Sequence, residues 1–66
     1  MNSTELRDCQ ERLQSAKESV EDVAILLGPT DREQAARLAK IVQRIAPEIR
    51  LLWRKAEAAR KAEKGE

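Results

Sequence analysis

Leu27-Gly28-Pro29-Thr30-Asp31 is the stretch on which the fold of this 66-residue chain turns. Gly28 offers the left-handed backbone conformation that often ends a helix, and Pro29 removes the amide that would continue one. Thr30 then opens a second helix, with Glu33 at the reciprocal capping position and Asp31 in the first turn, where the helix dipole favours an anion. Upstream, Leu6, Cys9, Leu13, Ala16, Val20, Val23 and Leu27 recur in alternating spacings of three and four. Downstream, Ala35, Leu38, Val42, Ile45, Ile49, Leu52, Ala56 and Ala59 do the same. Such a repeat places its side chains on one face of an α-helix and favours left-handed packing against another helix. The linker is too short to let the helices part. The expected fold is therefore all-α, an antiparallel two-helix hairpin over about 3–27 and 31–62, forming a single domain across residues 1–66.

At the first helix start, Asn2 is placed to cap, with Glu5 three residues later reaching back, although Ser3 or Thr4 could also serve. Folding about Gly28-Pro29 pairs residues whose numbers sum to about 58: Val23 with Ala35, Val20 with Leu38, Ala16 with Val42, Leu13 with Ile45, Cys9 with Ile49, and Leu6 with Leu52. Leu27 falls beside Asp31, and every apolar position away from the turn meets an apolar partner, small residues often against larger ones.

Pro47 is discordant, because inside a helix it removes the hydrogen bond to the Gln43 carbonyl and crowds that turn. It could split the chain into three helices. However, Ala46 is a poor cap, no loop-forming residue precedes it, and the heptad runs through without a slip. The expectation is one long second helix kinked at Pro47, which falls on the outer face. Nothing in the first helix is expected opposite residues beyond about 54, so residues 55–66 form a charged tail, helical or frayed, with Glu57 four residues before Lys61. That tail is either a solvated helix end or a docking arm.

Two helices cannot surround a core, so much of each stripe stays wet and self-association or a partner is expected. Hydrophobic residues are 41% and charged residues 38%, the balance of a helical bundle rather than of a disordered chain. The longest apolar run, Val23 to Leu27, is far short of the roughly 18 residues of a membrane span. Met1-Asn2-Ser3-Thr4-Glu5 lacks the basic start and apolar segment of a signal peptide, so the expected location is the cytoplasm. With no His, no Tyr and one Cys, the chain has few groups for proton exchange or nucleophilic attack, and no enzyme activity or cofactor is expected. Cys9 lies on the seam, where a free thiol packs as a small apolar group. Glu11, Glu18, Glu21 and Asp22 face outward, which excludes an inward-facing di-metal site.

Net charge is only +1, but it is divided unequally: residues 1–27 carry six acidic and three basic side chains, and residues 31–66 carry six acidic and ten basic. Arg37, Lys40, Arg44 and Arg54 lie along the outer face of the second helix as a stripe able to follow phosphates, partly neutralised by Glu33, Glu48 and Glu57 and without interleaved aromatics. Apolar residues also lie off the seams: Ile25, Leu26, Ala39, Ile41, Ala46, Leu51 and Trp53. They widen the apolar surface beyond what one hairpin covers. Ile25 at the turn end and Leu51 at the open end would be brought together by an antiparallel pairing of two hairpins. A four-helix-bundle homodimer is expected, with Ala39 and Ala46 at its centre and Trp53 covering an end.

These residues lead to a small interaction protein, an adaptor, co-chaperone or regulator that binds itself or another helical protein. In length and architecture the hairpin is similar to co-chaperones of type III secretion needle subunits. A two-helix protomer doubling into a bundle also resembles the plasmid copy-number regulators of the Rop type, which implies RNA binding through Arg37, Lys40 and Arg44. The Ala-rich tail lacks the large apolar side chains that membrane insertion needs.

Overall fold

The computed structural model describes residues 1–65 and contains two helices, α1 (Ser3–Leu27) and α2 (Arg32–Lys64), packed antiparallel along their lengths. There is no strand among the described residues. α1 starts as expected: the Asn2 side chain accepts from the Glu5 amide at 2.8 Å, and the Glu5 carboxylate accepts from the Asn2 amide at 3.3 Å. α2 runs uninterrupted through the exposed Pro47, so the three-helix alternative is not found. The tail is helical to Lys64, with Gly65 closing the last turn onto the Lys61 carbonyl at 2.8 Å; Glu66 lies outside the described residues.

The turn differs from expectation in two ways. Gly28 stays right-handed (φ −46°, ψ −49°), and its amide still donates to the Ala24 carbonyl at 3.0 Å. The Leu27 carbonyl then accepts from both Thr30 and Asp31, at 2.9 and 2.6 Å, so the chain winds on past Gly28 before it reverses. Asp31, not Thr30, caps α2, its carboxylate accepting from the Gln34 amide at 3.0 Å. The capping box expected from Thr30 and Glu33 does not form, because Asp31 offers a stronger, ionised acceptor one residue later.

The later reversal changes the register. Ala24 shares a groove with Ala39 and Val42, and Arg7 shares one with Ala56 and Glu57, so facing residue numbers sum to about 63 rather than 58. Moving the reversal point from about residue 29 to between residues 31 and 32 displaces every partner along α2 by twice that amount. As a result the end of α2 is not unopposed. Ser3 and Arg7 flank Ala56 and Arg60, and the Ser3 amide donates to the Glu63 carboxylate at 3.5 Å.

All eight seam positions expected on α2 are buried or half-buried. On α1, Leu6, Cys9, Leu13, Val20 and Leu27 are half-buried, but Ala16 and Val23 are exposed, and Gln10, Lys17 and Ala24 are half-buried instead. The displacement is not a whole heptad, so α1 is rotated to present a neighbouring row that shares Leu6, Leu13, Val20 and Leu27 with the expected one. Lys17 fits there by laying its aliphatic stem on the seam; its ammonium lies 3.8 Å from Glu21.

Among the described residues only Ile49 and Ala56 are buried, at 8% and 9% exposure. The molecule is a rod of 55 × 14 × 12 Å with a radius of gyration of 15.5 Å. A globular chain of this length would have a radius of about 11 Å. Its accessible surface is 5277 Å². A folded monomer of 7.5 kDa is expected to expose about 4,250 Å². The hairpin therefore leaves about 1,000 Å² more surface in water than a self-sufficient domain would.

Candidate interaction surfaces

A hairpin has two broad sides, and the grooves between α1 and α2 identify the residues on one of them. Near the turn, Glu21, Ala24 and Ile25 line a groove with Ala39, Val42 and Gln43. Nearer the open end, Gln10 faces Ile49, Arg50, Trp53 and Arg54. Ala39, Ala46 and Trp53 are seven residues apart and so share this groove side. Trp53 is 55% exposed there, with the guanidinium-bearing Arg50 and Arg54 beside it.

Of the seven apolar residues expected to form an interface, six are exposed and Ala46 is half-buried. Ile25 and Leu26 are the most exposed of the large ones, at 73% and 77%. They do not make one patch. Ile25, Ala39, Ala46 and Trp53 belong to the groove side, whereas Ile41 follows Ala39 by two residues and Leu51 precedes Trp53 by two, which turns both away from it. Leu26, one residue after Ile25, points to a third direction. The pairing of Ile25 with Leu51 across a dimer thus lacks the common face it relied on.

The other broad side carries the residues that the rotation of α1 leaves outside the seam. Cys9, Ala16 and Val23, seven apart, form a ridge on α1; Ile41, Leu52 and Ala59, at spacings of eleven and seven, form its counterpart on α2. Ala16, Val23 and Ile41 are exposed, and Cys9, Leu52 and Ala59 are half-buried. Half-buried Leu13, Val20 and Ile45 lie toward the seam between the ridges, and Glu48 and Lys55, seven and fourteen residues after Ile41, set charge into the α2 ridge itself. Heptad counting assigned Cys9, Ala16 and Val23 to the inter-helix seam. It cannot tell which shoulder of an apolar stripe will face the neighbour, and polar Gln10 and Lys17 gave no apolar signal.

Charge is arranged within helices. Every ion pair among the described residues joins neighbours three or four apart: Arg7–Glu11 at 3.9 Å, Arg12–Asp8 at 2.9 Å, Lys17–Glu21 at 3.8 Å, Arg37–Glu33 at 4.0 Å and Arg60–Glu57 at 3.3 Å. Arg37, Lys40, Arg44 and Arg54 are all exposed, as the stripe requires. Glu33 partly neutralises Arg37, as expected, while Lys40, Arg44 and Arg54 have no carboxylate partner among the described residues. Arg54, at the end of the stripe, also borders the groove beside Trp53 and Arg50, and Arg50 falls on neither the seam spacing nor the stripe spacing. Among the described residues no three of Cys, Asp and Glu converge as a bound metal would need. Neither described helix is long and apolar enough to cross a membrane. Comparisons with protein families, curated protein sequences and solved structures return no match to this chain.

Proposed function

We propose that this hairpin is a non-enzymatic, cytoplasmic interaction protein that covers its exposed apolar surface by self-association into a four-helix bundle, and so works as an adaptor, co-chaperone or regulator. The observation that carries this reading is the poverty of the isolated core: two of the described residues are buried in a rod that leaves about 1,000 Å² of extra surface in water. A specific dimer buries about 800 Å² on each partner, so one further copy accounts for the excess. We place that contact on the Cys9, Ala16, Val23 side because the groove side, although it exposes Ile25 and Trp53, is lined by Arg7, Glu21, Arg50, Arg54, Glu57 and Arg60; a bend of α2 at Pro47 would wrap that helix around the shared core. Sedimentation equilibrium on the full chain tests the reading. The expected mass is twice the 7.5 kDa of one chain; a monomer up to high micromolar concentration would refute self-association.

A second reading is a dimeric RNA-binding regulator of the Rop kind, favoured by the exposure of Lys40, Arg44 and Arg54 without carboxylate partners among the described residues. It requires RNA binding that weakens steeply with salt and falls when these three residues become Gln. Binding that is absent or insensitive to salt removes it.

A further inference from the structure

We infer that the second copy docks with its turn at the same end as the first, α1 of each hairpin lying against α2 of the other across the side that carries Cys9, Ala16 and Val23. The inference rests on the self-association proposed above and specifies its geometry. Two symmetric arrangements can place this side on itself. A two-fold axis along the bundle sets α1 on α2 of the second copy and brings the turns together. An axis across the bundle sets α1 on α1 and α2 on α2, with the turns at opposite ends.

Charge separates the two. Glu48 is the midpoint of α2 and, in the observed register, is level with Ser15 at the midpoint of α1. An axis across the bundle therefore brings Glu48 onto Glu48 of the second copy at the centre of the contact. It also lays the basic helix on its own copy and the acidic helix on its own copy, and like charges opposed across an interface are unfavourable. With the axis along the bundle, levels are kept: Lys55 comes level with Asp8 of the second copy, and Glu48 lies within about a turn of its Arg12. Asp8 and Arg12 are already held together at 2.9 Å. The α2 ridge then meets α1 of the second copy as an alternating row of acid and base, and the acidic α1 meets the basic α2.

The test is a distance between turns. In the full chain carrying Cys9→Ala, which keeps the contact ridge apolar, and Thr30→Cys, a nitroxide on the exposed turn residue is read by pulsed dipolar electron resonance, once the chain has been shown to sediment as the unsubstituted one does. Turns at one end are separated only by the width of the bundle, whose helix axes lie about 10 Å apart, so the expected label distance is under about 30 Å. A distance near the 55 Å length of the hairpin overturns this orientation and leaves self-association standing. No dipolar signal from a chain that sediments as a monomer overturns both. Glu48→Gln gives a second readout without labels. Loss of the attraction to Arg12, made twice in a two-fold dimer, raises the dimer Kd about two- to thirtyfold, whereas a lower Kd, as relief of a Glu48–Glu48 contact would give, overturns the proposal.

Discussion

Lys17 shows how the chain accepts a charge on its seam. Its stem is half-buried between the helices while the ammonium stays within 3.8 Å of Glu21 at the rim. An exposed i,i+4 ion pair contributes only a few tenths of a kcal/mol, so the aliphatic stem supplies most of what the residue offers. Lys17→Leu should therefore stabilise the hairpin by about 1 kcal/mol through added apolar burial. For a domain of this size that corresponds to a rise in Tm of about 4–8 °C, measured by circular dichroism at fixed protein concentration. A lower Tm would show that Lys17 does not lie on the seam. The residue was illegible in the sequence for a plain reason: an amphipathic side chain contributes through its stem, whereas apolar periodicity counts only its charged head.

At the scale of elements, the two helices and the capping box at Asn2 and Glu5 could be read directly, because caps and heptads are local properties of the chain. The turn was harder. Whether Gly28 would reverse the chain or extend the helix depended on a competition for the Leu27 carbonyl, which the Thr30 and Asp31 amides settle by both donating to it. That small local difference shifts every cross-helix pair and rotates α1 onto a new row. The assigned cap makes a clear comparison: Asp31→Ala should cost about 1 kcal/mol by freeing the Gln34 amide, and Thr30→Ala only a few tenths, both read by chemical denaturation. A larger loss for Thr30→Ala than for Asp31→Ala would restore Thr30 as the cap. Pro47 sits inside α2 with no amide to give Gln43, so Pro47→Ala should stabilise by about 1–3 kcal/mol and raise helix content. A loss of stability would mean that the proline shapes α2 for an assembly.

For the whole molecule, length and composition already implied a hairpin that cannot enclose its own core, and the rod with two buried residues among those described bears this out. Which side remains uncovered was not legible. Apolar residues lie on both shoulders of each stripe, and only the register decides which shoulder turns inward. The exposed residues picked out from the sequence, Ile25, Leu26, Ile41, Leu51 and Trp53, are indeed exposed but divide among several directions. The ridge of Cys9, Ala16 and Val23 was hidden inside the expected seam.

Sedimentation equilibrium on the full chain beside two variants, Val23→Glu and Ile25→Glu, tests most directly the claim that this ridge is covered by a second copy. Both replace an exposed apolar residue near the turn, so both should keep their helix content. The wild type and Ile25→Glu are predicted to sediment as dimers, and Val23→Glu as a monomer, because a charge buried without a partner at the contact is strongly unfavourable. A wild type that remains monomeric throughout the concentration range, or a Val23→Glu chain that dimerises as tightly as the wild type, would contradict the account.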